Sequence, residues 1–398
     1  MPVLKPFRGL RYDPRAVRLN EVIAPPYDVI GSAERTRLAS RSPANSVLVE
    51  LPEPDLAAHV DRYEVARALL ARWRGSGLLV VDDRPSLYPY RMTTPNGRSS
   101  TGVIAALGLA EPGVGDVLPH EQTMSKPRSD RLDLLRATRT NLSPIWGLSL
   151  AAGLSATLQP EGEPRADAFD DDGVRHQLWV MDDPERIEAV CACFSGAPVV
   201  IADGHHRYET ALAYQRELGA AAGPGPAGAD AVMALVVELA EDQLTVGPIH
   251  RTIAGLAAGV DVPAAFAKWF DLIRAGPTTE RTLAALSEAE SMALVTPTDA
   301  YLLLPRSEAF EAAGSDLDSS LVELVLAELP GPDVTHRHAW DEAAAAVTSG
   351  EAQAAVLLRA VTVEQIAEWA ATRRRMPPKT TYFSPKPRTG MVFRSLDD

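Results

Sequence analysis

The sequence predicts an α+β protein built from mixed β-sheets with flanking helices. Short apolar runs of strand length alternate with segments whose apolar residues repeat at the helical period. Apolar residues make up 46% of the chain and charged residues 23%, which is typical of globular domains. The stretch from Val199 to Leu212 reads as a strand, a tight turn and the start of a helix. A length of 398 residues predicts two or three domains.

The charge and the apolar runs exclude several classes of protein. A net charge of −14 argues against a broad nucleic-acid surface, because phosphate backbones require a concentrated basic face. The N-terminus lacks the apolar core of a signal peptide, and the apolar run at 231–237 is far too short to span a membrane. We therefore expect a cytoplasmic protein that makes no membrane contact. Cys191 and Cys193 are expected to be reduced core residues.

Residues 1–115 are predicted to form an N-terminal α+β domain. Ser32 is the expected N-cap of a short helix, and a period close to 3.6 predicts a longer helix over 56–74. The triplet Pro95-Asn96-Gly97 between two strand patterns indicates a β-hairpin. The predicted strands cover 46–51, 78–81, 86–93 and 99–110.

Residues 116–258 are predicted to form a central domain around the strand–turn–helix stretch. Pro184 fits the first position of a helix, and the acidic segment 160–173 is expected to be a surface loop. The other predicted strands are 145–150, 176–181, 199–201, 231–239 and 243–248. The predicted helices are 129–140, 184–194 and one from the turn to about residue 218.

Residues 259–398 are predicted to form a C-terminal αβ domain, whose tail returns to the site. Helices are predicted at 263–269, 279–289, 317–329, 339–349 and 363–375, and strands at 293–295, 300–304 and 354–358. The tail, 373–393, is again rich in polar residues. If it reaches back, Lys379 and Lys386 will lie near Arg207.

The turn after Val199–Ile201 carries the strongest functional signal. A strand–turn–helix junction leaves the first N–H groups of the helix unpaired at the positive end of its dipole, where anions bind. Gly204 lets the backbone approach a ligand closely, while Asp203, His205, His206 and Arg207 add an acid/base group, donors and a fixed cation. This set predicts a phosphate-bearing ligand.

Further polar clusters lie in loops beside strand or helix ends, where ligand chemistry concentrates. The candidate catalytic residues are Asp203, Glu121 and His206. The candidate nucleotide-binding residues are Gly204, His205, Arg207, His120, Lys126, Arg131, Lys379 and Lys386. In phosphoryl transfer such groups hold the phosphates while Mg²⁺ sits on the phosphate oxygens. Asp203, Glu121 or Glu50 would orient or deprotonate the acceptor hydroxyl, and these three alternatives stay open.

Several familiar motifs are absent or lack their context. The sequence contains no Walker A motif, kinase catalytic loop or zinc-protease helix. The string GPGPAG at 223–228 matches G-x-G-x-x-G but follows a helix instead of a strand, so we interpret it as a linker. His336 and His338 share the spacing of a chelating pair, but core or surface roles are expected for them, and no metal site is predicted.

Long strings of the chain resemble a family of bacterial and archaeal proteins, the domain-of-unknown-function family 1015. They are PFRGLR near the start, PPYDVI at 25–30, LPHEQT at 118–123, DRLDLLRATRTNLSPIWGL at 130–148, IADGHHRYETAL at 201–212 and MPPKTTYFSPKPRTGMV at 376–392. The D-G-H-H-R core is also similar to the G-x-H-R turn of the ParB and sulfiredoxin superfamily, which includes kinases of free serine. That resemblance implies phosphate binding at Gly204, His205, His206 and Arg207, with Asp203 beside the transferred phosphoryl group.

Three functions follow as hypotheses. The first is a nucleotide-dependent phosphotransferase that uses ATP or ADP with Mg²⁺ and acts on a small hydroxyl-bearing metabolite such as free serine. The second is a non-catalytic, nucleotide-responsive regulatory or binding protein that uses the same turn. The third is a metal-dependent hydrolase built on His120, Glu121, His205 and His206, which tightly bound Zn²⁺ or Mn²⁺ would reveal.

Overall fold

The chain forms two compact units in the computed structural model, which describes residues 1–111, 115–119, 129–220 and 227–397. The first unit contains residues 1–244, 370–373 and 385–398, and the second contains residues 245–369 and 374–384. The division into three domains at residues 115 and 258 stays a prediction.

The described residues form strands of two to ten residues. In chain order they are β1 (Leu4–Lys5), β2 (Gly9–Tyr12), β3 (Leu79–Val81), β4 (Tyr88–Thr93), β5 (Ser99–Gly108), β6 (Val117–Pro119), β7 (Thr140–Asn141), β8 (Ile145–Ser149), β9 (Ala166–Phe169), β10 (Arg175–Leu178), β11 (Val199–Asp203), β12 (Ala231–Glu238), β13 (Thr245–Gly247), β14 (His250–Ala254), β15 (Phe270–Pro277), β16 (Ala293–Val295), β17 (Asp299–Pro305), β18 (Asp333–Arg337), β19 (Ala354–Leu357), β20 (Tyr382–Ser384) and β21 (Phe393–Ser395).

The helices are distributed along the whole chain. They are α1 (Leu19–Val22), α2 (Ser32–Arg41), α3 (Val47–Glu50), α4 (Arg62–Gly75), α5 (Ser129–Thr138), α6 (Leu154–Thr157), α7 (Pro184–Ser195), α8 (His205–Ala220), α9 (Val262–Ala267), α10 (Glu280–Glu288), α11 (Ser307–Ala313), α12 (Asp318–Leu326), α13 (Trp340–Thr348) and α14 (Val363–Ala371). Short 3₁₀ turns cover Tyr27–Val29 and Ala227–Asp230.

A large sheet forms the centre of the first unit. Its strand order is β6-β11-β8-β12-β5-β4-β10-β9, with β1 paired to β5. β11 runs parallel to β6 and antiparallel to β8, while β12 runs parallel to β8 and antiparallel to β5. The mixed α+β class is therefore confirmed. A core centred on this sheet lies beneath α6, α7 and α8.

β11, the strand that leads to the candidate site, is buried, and its buried residues are apolar. Val199, Val200 and Ile201 are at most 2% exposed, and the strand lies between β6 and β8 in the sheet. Burial on both faces and pairing along both edges fix the end of this strand. The side chains that follow Ile201 are consequently held in place.

A smaller sheet of the first unit has the order β3-β2-β21-β7. It places the C-terminal strand β21 between β2 and β7. The buried Arg394 on β21 donates to Asn141 Oδ1 at 3.0 Å and to the carbonyl of Gly228 at 2.7 Å. These bonds tie the chain end to the first unit, and residues 385–392 lead up to it.

The second unit contains a six-stranded sheet with the order β15-β17-β16-β19-β14-β18, in which all pairs are antiparallel. A two-stranded sheet pairs β13 with β20. Apolar residues from the sheet pack against α9, α11 and α12 in one core and against α10 and α13 in another. No helix among the described residues has both the length and the apolar character needed to cross a membrane.

Four local predictions were wrong, and one of them is the start of the helix predicted over 56–74, because α4 begins at Arg62 with Asp61 as its N-cap. The apolar run at 46–51 forms the helix α3 instead of a strand, and Asn45 Oδ1 accepts a hydrogen bond from Val47 N–H at its start. The predicted loop at 160–173 contains strand β9, which pairs with β10. Ser32 is the first helical residue, and its neighbour Gly31 is the N-cap.

Candidate functional site

The strand–turn–helix prediction is confirmed. β11 ends at Asp203, Gly204 adopts a φ of +86°, and α8 begins at His205. The helical ladder starts with Tyr208 N–H, which donates to the carbonyl of Gly204 at 3.0 Å. The N–H groups of His206 and Arg207 precede this first bond and lie at the positive end of the helix dipole.

Gly204 is required by both its conformation and its surroundings. A positive φ is strained for any residue with a Cβ. A Cβ at this position would also lie 3.0 Å from Nη2 of Arg207 and 3.0 Å from Cγ2 of Ile145. The turn therefore brings the backbone closer to Arg207 than a larger residue permits.

The carboxylate of Asp203 lies between two cations. Lys386 Nζ is 3.0 Å from Oδ1, and Arg207 Nη2 is 3.1 Å from Oδ2. Burial of the carboxyl favours its neutral form, but the charges of Lys386 and Arg207 outweigh burial and lower the pKa of Asp203. Asp203 is therefore held ionised at the end of the strand.

A buried polar network fixes the segment that carries Lys386. Two residues further on, Arg388 Nε donates to Asp170 Oδ2 at 2.9 Å, and Arg388 N–H donates to Tyr90 OH at 3.2 Å. His176 bridges the same two partners, with Nε2 2.9 Å from Asp170 Oδ2 and Nδ1 2.8 Å from Tyr90 OH. The segment that carries Lys386 is thus held in place on its C-terminal side.

Arg207 directs most of its guanidinium group into the protein. Nη1 donates to Ser143 Oγ at 3.1 Å and to the carbonyl of Pro144 at 2.5 Å, while Nη2 contacts Asp203. Its Nε is buried and has no hydrogen-bond partner among the described residues. Arg207 therefore connects the turn to Ser143 and Pro144 and also supplies positive charge to the turn.

Glu50 lies behind Ser143 and is 3% exposed. Its Oε1 accepts a hydrogen bond of 3.0 Å from Ser143 Oγ, and Oε1 is 3.8 Å from Nη1 of Arg131. Burial raises the pKa of Glu50, and the charges of Arg131 and Arg207 only partly oppose this shift. The site therefore contains a second carboxyl group, and its pKa is shifted in the direction opposite to that of Asp203.

Tyr27 connects the two arginines of the site. The guanidinium carbon of Arg131 is 4.4 Å from the centroid of its ring, and that of Arg207 is 5.8 Å from it. Arg131 also donates to the carbonyl of Glu50 at 2.7 Å and to Asp130 Oδ2 at 2.7 Å. Arg131, predicted to bind the nucleotide, thus belongs to this arginine–tyrosine cluster.

The remaining predicted residues have varied placements. The charge of His205 contributes to the low pKa of Asp203, and Nδ1 of His206 lies 3.7 Å from Oε2 of Glu209. Lys379 belongs to the second unit, where its carbonyl accepts a hydrogen bond from Arg251 Nη2 at 2.9 Å. His120, Glu121 and Lys126 lie outside the described residues.

Sequence reasoning missed two residues of the cluster, Tyr27 and Ser143. Neither has a chemical signature of its own. Both nevertheless fall inside strings that carried the family resemblance, PPYDVI and the NLSPIW portion of 130–148. Their place inside those strings was the only sequence signal for the two residues.

The described residues contain no group of three His, Cys, Asp or Glu side chains arranged to hold a metal ion. His338 stacks on Tyr382 with ring centroids 4.0 Å apart. Because both oxygens of Asp203 contact cations, the residues around the turn do not fit a directly bound Mg²⁺. A Mg²⁺ ion that arrives on the phosphate oxygens of a nucleotide is compatible with them.

Comparisons with known proteins identify a family. Residues 4–325 match the model of a family described as "Protein of unknown function (DUF1015)". No curated protein matches the chain.

Similar solved structures include three distant ones. A conserved hypothetical protein from Pyrococcus furiosus is 16% identical, with 71% of this chain and 93% of that chain covered and a TM-score of 0.37. A free serine kinase in complex with AMP is 16% identical, with 70% and 88% covered and a TM-score of 0.38. SbnI with a C-terminal truncation, from Staphylococcus aureus, is 11% identical, with 70% and 83% covered and a TM-score of 0.37.

Proposed function

The chain belongs to the DUF1015 family of proteins of unknown function, and we propose that it is a nucleotide-dependent phosphotransferase. Its acceptor is a small hydroxyl-bearing metabolite, with free serine as the first to test. Its donor is ATP or ADP, which brings Mg²⁺ on its phosphate oxygens.

One observation carries this proposal: the turn at Gly204 presents the N-terminus of a 16-residue helix beside two largely buried cations. Backbone N–H groups at a helix N-terminus bind phosphate oxygens, and the dipole adds to the attraction. Lys386 and Arg207 contribute positive charge at the same position. Phosphoryl transfer requires little more than such positioning and charge neutralisation.

Each residue of the turn has a role in this proposal. Gly204, His205 and Arg207 hold the phosphates of the nucleotide, and His206 lies in the same first turn. Asp203 orients Lys386 and Arg207 toward the transferred phosphoryl group. His120, Glu121, Lys126 and Lys379 stay predicted contributors to the site. Bound Mg²⁺ would neutralise charge on the phosphates, as in other phosphotransferases.

The experiment follows labelled phosphate from nucleotide to acceptor. The purified chain is incubated with [γ-³²P]ATP or [β-³²P]ADP, MgCl₂ and L-serine, and phosphoserine is separated and counted. We expect labelled product, reduced on the order of 100-fold in Asp203→Asn, because charge organisation around the transferred group is lost. Asp230→Asn is the control, since Asp230 is a half-exposed partner of Lys5. No transfer to L-serine, glycerol or water from either nucleotide would contradict the proposal.

A second function is favoured by the same ion pairs. Both oxygens of Asp203 already contact cations, so the turn suits a protein that binds a nucleotide without turning it over. Such a regulatory protein would bind ATP or ADP, transfer no label, and change its hydrogen-exchange pattern near α8. The two functions are therefore separated by the transfer assay.

A further inference from the structure

The two carboxyl groups of the site, the partly buried Asp203 and the buried Glu50, differ in what their oxygens contact. Both oxygens of Asp203 are engaged by Lys386 and Arg207. Glu50 Oε1 accepts the hydrogen bond of Ser143, but Glu50 Oε2 is buried and has no hydrogen-bond partner in the described part of the chain. Glu50 therefore keeps an oxygen available to accept a proton.

A buried donor of the same cluster also lacks a partner. It is Nε of Arg207, whose Nη1 donates to Ser143 Oγ, the hydroxyl that in turn donates to Glu50. An unsatisfied buried donor or acceptor is unfavourable, and native proteins leave few of them. This unpaired acceptor and this unpaired donor in a single cluster are atoms that a polar group from outside the protein would satisfy.

A single hydroxyl has both the proton and the lone pair that these two atoms would need. It donates its proton to Glu50 Oε2 and accepts a hydrogen bond from Arg207 Nε. An ammonium group has no acceptor for Arg207 and would add a third positive charge to those of Arg131 and Arg207. A carboxylate has no proton to give to Glu50. The chemistry of the cluster thus favours a hydroxyl over an ammonium group or a carboxylate as the group that contacts Glu50 and Arg207.

We propose that Glu50 is the base that takes the proton from the hydroxyl of the acceptor, and that the acceptors are compact alcohols. This inference rests on the proposed phosphotransfer and assigns the base that the sequence left open among Asp203, Glu121 and Glu50.

The step balances without a further reactant. The O–H bond of the acceptor breaks and its proton passes to Oε2 of Glu50. The acceptor oxygen forms a bond to the terminal phosphorus of the nucleotide, and the bond from that phosphorus to the bridging oxygen breaks. The bridging oxygen leaves with the electron pair on the shortened nucleotide, and Glu50 later returns its proton to solvent.

The surroundings of Glu50 suit a base at neutral pH. The charged and titratable groups that face it are Arg131, Arg207, Asp28 and Tyr27. Burial dominates and raises the pKa of Glu50, which brings it closer to the operating pH that favours general-base catalysis. Asp203, with a lowered pKa, is the weaker proton acceptor.

The test compares Glu50→Gln with the matched control Glu53→Gln, whose side chain is 67% exposed and paired with Arg35. Glutamine keeps the shape of Glu50 but accepts no proton. We measure nucleotide affinity by calorimetry with ADP and ATP, and label transfer to L-serine and to L-2,3-diaminopropionate, which carries an amine in place of the hydroxyl. Positioned general bases contribute about 10²- to 10⁴-fold. We expect at least about 100-fold slower transfer to serine in Glu50→Gln with nucleotide affinity unchanged, and no transfer to the amine.

Three results are informative in different ways. Transfer by Glu50→Gln at the rate of Glu53→Gln would overturn the role of Glu50 while leaving the phosphotransfer intact. Equal transfer to the amine would overturn the assigned substrate class. Absence of nucleotide binding by the unmodified chain would remove the proposed function itself.

Ser143→Ala provides a second variant should Glu50→Gln fail to fold. The hydrogen bond from Ser143 lowers the pKa of Glu50, so its removal raises that pKa further. The acid limb of the kcat/KM profile should therefore move to higher pH in Ser143→Ala. An unmoved acid limb would contradict the assignment.

Discussion

Lys386 Nζ lies 3.0 Å from Oδ1 of Asp203, so a residue of the C-terminal segment completes the charge environment of the turn between β11 and α8. The lysine side chain is 13% exposed and the aspartate 21%. Because the pair is largely buried and Arg207 holds the other oxygen, its removal leaves the carboxylate only partly compensated.

Lys386→Met should therefore lower the free energy of unfolding by about 1–3 kcal/mol at pH 7. Urea denaturation measures this loss. Because Asp203 has a lowered pKa in the folded state, its contribution is present above the ordinary aspartate value of 3.8 and is lost as the pH falls below that value. The difference between the variant and the unmodified chain should accordingly shrink in acid.

Lys5→Met is the control for this variant, since Lys5 and Asp230 form an ion pair in which both side chains are about half exposed. Exposed pairs contribute less than about 1 kcal/mol. Equal destabilisation by the two substitutions would contradict the account of Lys386.

Glu50→Gln should change how stability depends on pH. The folded-state pKa of Glu50 is raised by burial, so the unmodified chain is penalised once the pH rises above the ordinary glutamate value of 4.5. The variant lacks this penalty. Its free energy of unfolding, relative to the unmodified chain, should rise between pH 4.5 and pH 7.5 in urea titrations.

Glu53→Gln is the control for that comparison, because the Glu53 side chain is exposed. A relative stability of Glu50→Gln that stays flat, or that falls as the pH rises, would show that Glu50 is not held in a desolvated environment.

His250 predicts a pH effect in the second unit. Burial, followed by the charges of Arg251 and His338, lowers the pKa of His250 to about 4, and its Nδ1 accepts a hydrogen bond of 3.1 Å from Leu358 N–H. The unfolded chain takes up this proton near pH 6.5, so stability is complete above that pH and falls as the pH drops toward 4.

His250→Asn keeps an acceptor for Leu358 N–H but cannot be protonated. We expect the loss of stability between pH 7 and pH 4.5 to be smaller by about 2 kcal/mol in this variant, from the cost of about 1.4 kcal/mol per unit of pKa. Denaturation at both pH values measures it, with the exposed His59→Asn as control. Parallel losses in all three proteins would contradict the prediction.

The local parts of the fold were predictable from sequence. The hairpin at Pro95-Asn96-Gly97 joins β4 and β5 as predicted, and α7 begins at Pro184 with Asp183 as its N-cap. The turn at Gly204 was predictable because a strand, a glycine and a helical pattern follow one another directly. Such signals need only short-range information.

The convergence of distant segments was not predictable. Tyr27, Glu50, Arg131 and Arg207 meet although long stretches of chain separate them. The run at 46–51 was misassigned because a short apolar segment has the same composition in a buried strand and in a buried helix. Both the cluster and the helix at 46–51 depend on packing between residues that are far apart in the sequence.

The binding of nucleotide at Gly204 is tested most directly by calorimetry on the unmodified chain, Gly204→Ala and Gly97→Ala. Both glycines have a φ of +86°, but a Cβ at Gly97 meets nothing within 4 Å, whereas one at Gly204 approaches Arg207 and Ile145. Alanine should strain both backbones by about 1–2 kcal/mol. With ATP, ADP or CTP in the presence of MgCl₂, we predict saturable binding to the unmodified chain and to Gly97→Ala, and affinity at least about tenfold weaker in Gly204→Ala. No binding to the unmodified chain, or equal affinities in the two variants, would contradict the account.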